Sequence, residues 1–147
     1  MKYKLFRYKS IYFVAILYSL FGSGLFGYIV VSKITIINHI GFVNDDFIYF
    51  PLSIISFISF FVSFFLLLKM KLFSVTTLNG GITSFVILII LGLIKSWYYR
   101  EIKFKFIFPL IIFLLVNVIL IILINKFKMS DQSKVFPNEI DEIGKPE

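Results

Sequence analysis

His39, Asp45 and Asp46 come nearest to an acid–base or metal-ligating set in this 147-residue chain. An imidazole and two carboxylates can pass a proton or hold a cation. One histidine and two adjacent aspartates in a short connection still fall short of the three or four converging ligands that a metal site needs. They read as residues at a membrane edge. The chain has no Cys, which excludes disulfides, thiolate metal sites and thiol redox chemistry. It carries no phosphate-binding Gly-rich loop, no H-E-x-x-H and no G-x-S-x-G. The expectation is a protein that is not an enzyme and that holds no cofactor or metal.

The remaining polar side chains of interest sit within apolar sequence. Ala15, Ser19, Ser23 and Gly27 recur every four residues, with Gly22 beside them, and Ser53, Ser56, Ser59 and Ser63 gather on one face of a 3.6-residue helix. In lipid, hydrocarbon already solvates Leu and Phe, so helices associate by close packing and interhelical hydrogen bonds. Both rows read as packing ridges, the two helices facing each other; a hydroxyl-lined path is the alternative. Asn117 needs a partner, expected among the second-helix serines or the carbonyls of the third helix.

The elements that must position these residues are four apolar runs: 11–31, 49–68, 75–94 and 106–124, of 21, 20, 20 and 19 residues. None contains Asp, Glu, Lys, Arg or His. At ~1.5 Å rise per residue, each can cross a hydrocarbon core of ~30 Å. The fold class expected is therefore an all-α integral membrane protein, with a four-helix bundle over residues 1–128 and a disordered, mildly acidic tail over 129–147. Lys2, Lys4, Arg7 and Lys9 followed by an apolar stretch and Gly22-Ser23-Gly24 resemble a cleavable leader. The run continues to Val31, so a retained helix is the reading. Pro51 and Pro109 fall in the first turns of runs two and four, where a missing N–H costs little. The third run carries Asn79-Gly80-Gly81, a turn signal. Its helix either starts near Val75 and tolerates the glycines or starts near Ile82 and extends towards Trp97, and the run either spans fully or is broken there.

A net charge of +7 can signal nucleic-acid binding, but here the cations cluster at run ends, where lipid headgroups hold them. No nucleic-acid partner is expected. Trp97, Tyr98, Tyr99 and Arg100, in the third loop, read as interfacial anchors. The heavy Lys, Phe, Ile and Asn usage points to an AT-rich bacterial genome. Counted near the helix ends, nine Lys and Arg fall on the side of the N-terminus, the second loop and the start of the tail as far as Lys134, against five on the side of the first and third loops, with Lys33 and His39 assigned to the first. That bias places both termini in the cytoplasm.

The functional expectation is a small non-enzymatic multi-pass protein of the bacterial cytoplasmic membrane. It would act through helix contacts with the bilayer and with another membrane protein or itself, as a subunit or accessory of a complex or as an immunity-type protector. The alternative is an oligomeric transporter or pore without intramembrane proton coupling, its substrate unnamed. Reporter fusions at Lys9, Asn44, Lys71, Tyr99 and Ser133 test the topology. Cytoplasmic signals are expected from Lys9, Lys71 and Ser133 and periplasmic ones from Asn44 and Tyr99; a periplasmic signal at Ser133 overturns it.

Overall fold

In a computed structural model the chain is all-helical, in the element order α1 Lys9–Ile40, α2 Asp46–Leu68, α3 Phe73–Tyr98 and α4 Phe104–Phe127. The structure describes residues 5–71, 73–98 and 107–128, and the backbone alone of 104–106. All four helices are long and apolar enough to cross a membrane. The tail over 129–147 lies outside the described residues.

Several helix boundaries differ from the sequence expectation. Helix α1 does not stop with its apolar run but continues to Ile40, because residues 32–40 contain neither Gly nor Pro. It ends at Gly41, whose φ of 86° favours glycine and whose N–H donates to the Ile37 carbonyl at 2.8 Å. Lys33 and His39 therefore belong to α1, not to the first loop. Helix α3 runs unbroken through Asn79-Gly80-Gly81 and reaches Tyr98, so it both starts early and ends late. Pro51 and Pro109 each lie inside a helix, three and two residues deeper than expected, because α2 and α4 begin before their apolar runs do.

The α2–α3 connection is a tight C-terminal cap. Lys71 N–H donates to the Leu66 carbonyl and Met70 N–H to that of Leu67, both at 2.9 Å, with Met70 at φ 51°. This six-to-one and five-to-two pairing is the Schellman arrangement, here with methionine in the left-handed position that usually takes glycine. So short a turn returns α3 antiparallel along α2.

Helix α2 is central. It packs along α1 on one side and α3 on the other, while α4 leans on α3 and reaches α1. Besides Asp46 at the start of α2, the buried positions are Ala15, Ser19, Gly22 and Phe26 in α1, and Ser53, Ser56, Phe60, Ser63 and Leu67 in α2. Their alternating steps of three and four are the spacing that keeps a seam between helices crossing at a shallow angle. Phe60 is wholly buried. Its ring stacks on Phe26 at 5.9 Å and meets Tyr18 edge-on at 5.9 Å. A β-carbon at Gly22 would come within 2.6–2.8 Å of that ring, and one at Gly81 within 3.2 Å. The glycines that looked like breakers in the third run are thus the surface that lets α3 close on α2.

The segment before α1 meets the end of α4. Phe6 and Lys128 form an antiparallel bridge, with Arg7 N–H donating to the Phe127 carbonyl at 3.0 Å, and Tyr8 packs on Phe127 with ring centroids 5.2 Å apart. Leu5 and Phe6 are buried beneath. That end of the bundle also holds Lys9, Lys69, Lys71 and Lys126. Among the described residues the only acids, Asp45 and Asp46, lie at the opposite end.

Thermal unfolding in detergent checks the Phe60 contact. Gly22→Ala is expected to destabilise by ~1–3 kcal/mol, as overpacking does, whereas Gly24→Ala, with open space around it, should gain up to ~1 kcal/mol from helix propensity. Ser19→Leu, at a fully buried site, should lower the melting temperature more than Phe13→Leu on an exposed face. Equal melting temperatures for Gly22→Ala and Gly24→Ala would remove Phe60 as the organiser of the bundle.

Candidate functional site

The added length of α1 has a chemical consequence. It carries Lys33 over the start of α2, where Lys33 Nζ lies 2.5 Å from Asp46 Oδ1. Asp46 is nearly fully buried, and its second oxygen accepts the Val43 N–H at 3.3 Å. Both carboxylates sit at the N-terminus of α2, where the helix dipole favours negative charge. From the far end of α3, Lys95 reaches across to pair with Asp45, both side chains about half-exposed. The Lys95 ammonium also stands 5.9 Å from the centre of the Tyr49 ring, within cation–π range.

Beneath these two ion pairs lies a cavity of about 650 Å³, a size usual for small-molecule sites (~300–1,000 Å³). Its depth is lined by Phe26 and Ile29 of α1 and by Phe85, Leu88 and Ile89 of α3, and α4 contributes Leu110. Ser53 lines it too, its hydroxyl donating to the Tyr49 carbonyl at 2.7 Å. The charges stand at the mouth and the apolar surface below them. Such a site can bind an amphiphile. For acid–base work it is poorly placed, since both oxygens of Asp46 and the ammonium groups of both lysines are engaged.

The packing residues fall as follows. Ala15, Ser19 and Gly22 are buried, while Ser23 is partly exposed and its hydroxyl returns to the Leu20 carbonyl at 2.8 Å. Gly27 faces the Phe57 ring, 3.2 Å from where its β-carbon would be. The four-residue row of α1 thus drifts off the seam after Ser19, because an ideal helix turns slightly more than once in four residues. In α2, Ser53, Ser56 and Ser63 are buried, but Ser59 is half-buried beside Gly80, and Phe60 takes the seam position.

One expected partnership, that of Asn117, is corrected. Helices α1 and α2 pack along each other, and the α2 serines also bond to α3: Ser56 Oγ donates to Ser84 Oγ at 2.8 Å and Ser63 Oγ to the Ser74 carbonyl at 3.1 Å. Spacing puts hydroxyls on a common face but does not say which neighbour that face meets. Asn117, wholly buried, accepts the Tyr18 hydroxyl at 2.5 Å and donates to its own helix at Phe113, 2.7 Å away. Tyr18 was the signal to notice, since a phenol in the middle of an apolar run needs an acceptor. A second amide pair was also missed: Asn79 Nδ2 donates to Asn125 Oδ1 at 2.9 Å, joining α3 to α4. Trp97 and Tyr98 are highly exposed in the last turn of α3; Tyr99 and Arg100 lie outside the described residues. Among the described residues no three His, Asp or Glu converge on a point that could hold an ion.

The chain matches no protein-family model, no curated protein and no solved structure.

Tyr18→Phe, which removes the hydroxyl and leaves Asn117 Oδ1 without its donor, is expected to cost ~0.6–1.7 kcal/mol, the range of interhelical hydrogen bonds in bundles of this kind. In a thermal-unfolding cycle with Asn117→Leu, the double variant should cost less than the sum of the singles. Strict additivity would mean that the two side chains do not interact.

Proposed function

We propose that this is a multi-pass protein of a bacterial cytoplasmic membrane, both termini cytoplasmic, that performs no chemistry of its own and acts through helix contacts. Its partner is another membrane protein or a second copy, which makes it a subunit or accessory of a membrane complex or an immunity-type protector. The observation that carries this reading is the condition of α4. Among its described side chains only Asn117 and Ile124 are buried, while Phe108, Ile111, Ile112, Leu115, Val116, Ile119 and Ile122 are all exposed. A helix with apolar surface all round and so narrow a seam is at home in lipid or against another apolar helix.

The interior supports contact over conduction. The hydroxyls of Tyr18, Ser56, Ser63 and Ser84 and the amide of Asn117 are engaged inside the chain, and the buried rings of Phe26 and Phe60 stack on each other between the helices. A second reading, an oligomeric pore or transporter, is favoured by the cavity itself. Such a transporter would not be driven by a proton titrating within the bundle. No apolar run offers a carboxylate or an imidazole, and a coupled carrier needs one at membrane depth.

Affinity purification in mild detergent tests the contact reading. A stoichiometric membrane partner or a homo-oligomer is expected, and Ile119→Trp on the exposed face of α4 should abolish it without lowering the melting temperature. A monomer with no partner overturns it. In vesicles under an imposed pH gradient no uphill solute movement is expected; protein-dependent accumulation that collapses with the gradient would establish a coupled carrier instead.

A further inference from the structure

We propose that the cavity under the two ion pairs holds one phospholipid with a zwitterionic phosphoethanolamine head. Its phosphate lies at Lys33 and Lys95, its ammonium at Asp45, and one acyl chain occupies the slot below. This goes beyond the helix-contact reading and rests only on its membrane part.

Depth is the first argument. Lys33 follows the first apolar run by two residues, Lys95 follows the third by one, and Asp45 precedes the second by four. All three charges therefore stand where apolar sequence gives way, at the level of headgroups. From Lys33 down to Phe26 is seven residues of helix, ~10 Å at ~1.5 Å per residue, which places the apolar slot at the level of acyl chains. Among the described residues the wall towards α4 is Leu110.

Charge is the second argument, and it selects the head. Asp46 is committed: nearly fully buried, it is held by Lys33 and by the Val43 N–H. Lys33 is about one-third exposed, and its ammonium has three donors, so it can serve Asp46 and a phosphate oxygen together. Lys95 and Asp45 form a pair at the rim, each about half-exposed. Exposed pairs of this kind contribute little and exchange readily for equivalent charges on a ligand. A wholly anionic head would sit beside the Asp45 carboxylate, and a wholly cationic one beside two lysines. A phosphate joined to an ammonium satisfies both signs.

Gly92 supplies the test. It lines the slot, and no atom lies within 4 Å of where its β-carbon would be, so a large side chain there enters empty space. The purified full-length chain would be delipidated in mild detergent. Native mass spectrometry would then follow its titration with phosphatidylethanolamine or phosphatidylglycerol of the same acyl composition. Wild type is expected to retain phosphatidylethanolamine roughly tenfold more strongly, about one charge-assisted contact. Asp45→Asn should reduce or reverse that preference, Lys95→Gln should weaken retention of both lipids, and Gly92→Phe should abolish it with the melting temperature unchanged. Equal retention of the two lipids by wild type, or unchanged retention by Gly92→Phe, overturns the proposal. Should Gly92→Phe fail to fold, undiminished retention by Lys95→Gln overturns it equally. Alkaline carbonate washing of membranes separates the two readings. A chain released by carbonate refutes membrane insertion and this site together, whereas a chain that stays inserted but binds neither lipid refutes this site alone.

Discussion

A phenyl ring held between two glycines sets the spacing of the whole bundle. Phe60 projects from the central helix with Gly22 on one side and Gly81 on the other. Each glycine weakens its own helix by ~1 kcal/mol relative to alanine. In return α1 and α3 approach α2 closely enough for the ring to lie against both glycines, to stack on Phe26 and to meet Tyr18 edge-on. In the bilayer we propose, this trade matters more than it would in water. Moving a phenylalanine from lipid to protein gains little by transfer, so adhesion has to come from dispersion contacts at close range and from hydrogen bonds. Around the ring the seam residues are small: Ala15 and Ser19 in α1, Ser53, Ser56 and Ser63 in α2.

The same constraint accounts for the polar groups. A hydroxyl or amide in an apolar medium loses its hydration and regains it only from the chain itself. Ser56 with Ser84, Tyr18 with Asn117 and Asn79 with Asn125 are three such answers, each between different helices. They divide the labour with Phe60. The aromatic contact brings α1, α2 and α3 together, and the two amide links join α4 to α1 and α3 beside its apolar contacts and the Arg7–Phe127 backbone bond. Among the described side chains of α4 the buried positions are Asn117 and Ile124, seven residues apart, so specific bonds carry a large share of its attachment.

How much of this was legible follows from what a single sequence encodes. Four helices were readable because charge-free runs of nineteen to twenty-one residues have few other uses. Their ends were not, since an apolar run marks where lipid would stop, while a helix stops where its backbone is turned. α1 ignores Lys33 and stops at Gly41. The small residues of the first and second helices were legible as rows, but not their partners, because a row specifies an angle around one axis and the neighbour depends on the other three. The glycines of α3 were misleading for a related reason. Gly80-Gly81 reads as a turn until Phe60, some twenty residues earlier in the chain, is placed against it. The cavity was invisible, being assembled from four elements, and its four charged residues had been divided among loops.

The two ends of the bundle differ in electrical character, and the difference ties orientation to the site. At the end where the segment before α1 meets the end of α4, Arg7, Lys9, Lys69, Lys71, Lys126 and Lys128 stand with no acidic residue among those described. At the other end Lys33 and Lys95 are matched by Asp46 and Asp45. The pairing leaves the count of Lys and Arg that orients a chain across a membrane as it is, because acidic residues weigh little in that count, but it cancels most of the field of these two lysines. The balance has a second effect. An end carrying unmatched lysines would attract any anion in reach, with the strength of that attraction falling as salt rises. Paired charges present no such field at a distance and act only on a ligand close enough to replace one partner by another. Selectivity at that end is then a matter of which headgroup carries both charges at the right separation, and the buried Asp46, which holds Lys33 in place, fixes one of the two points from which that separation is measured.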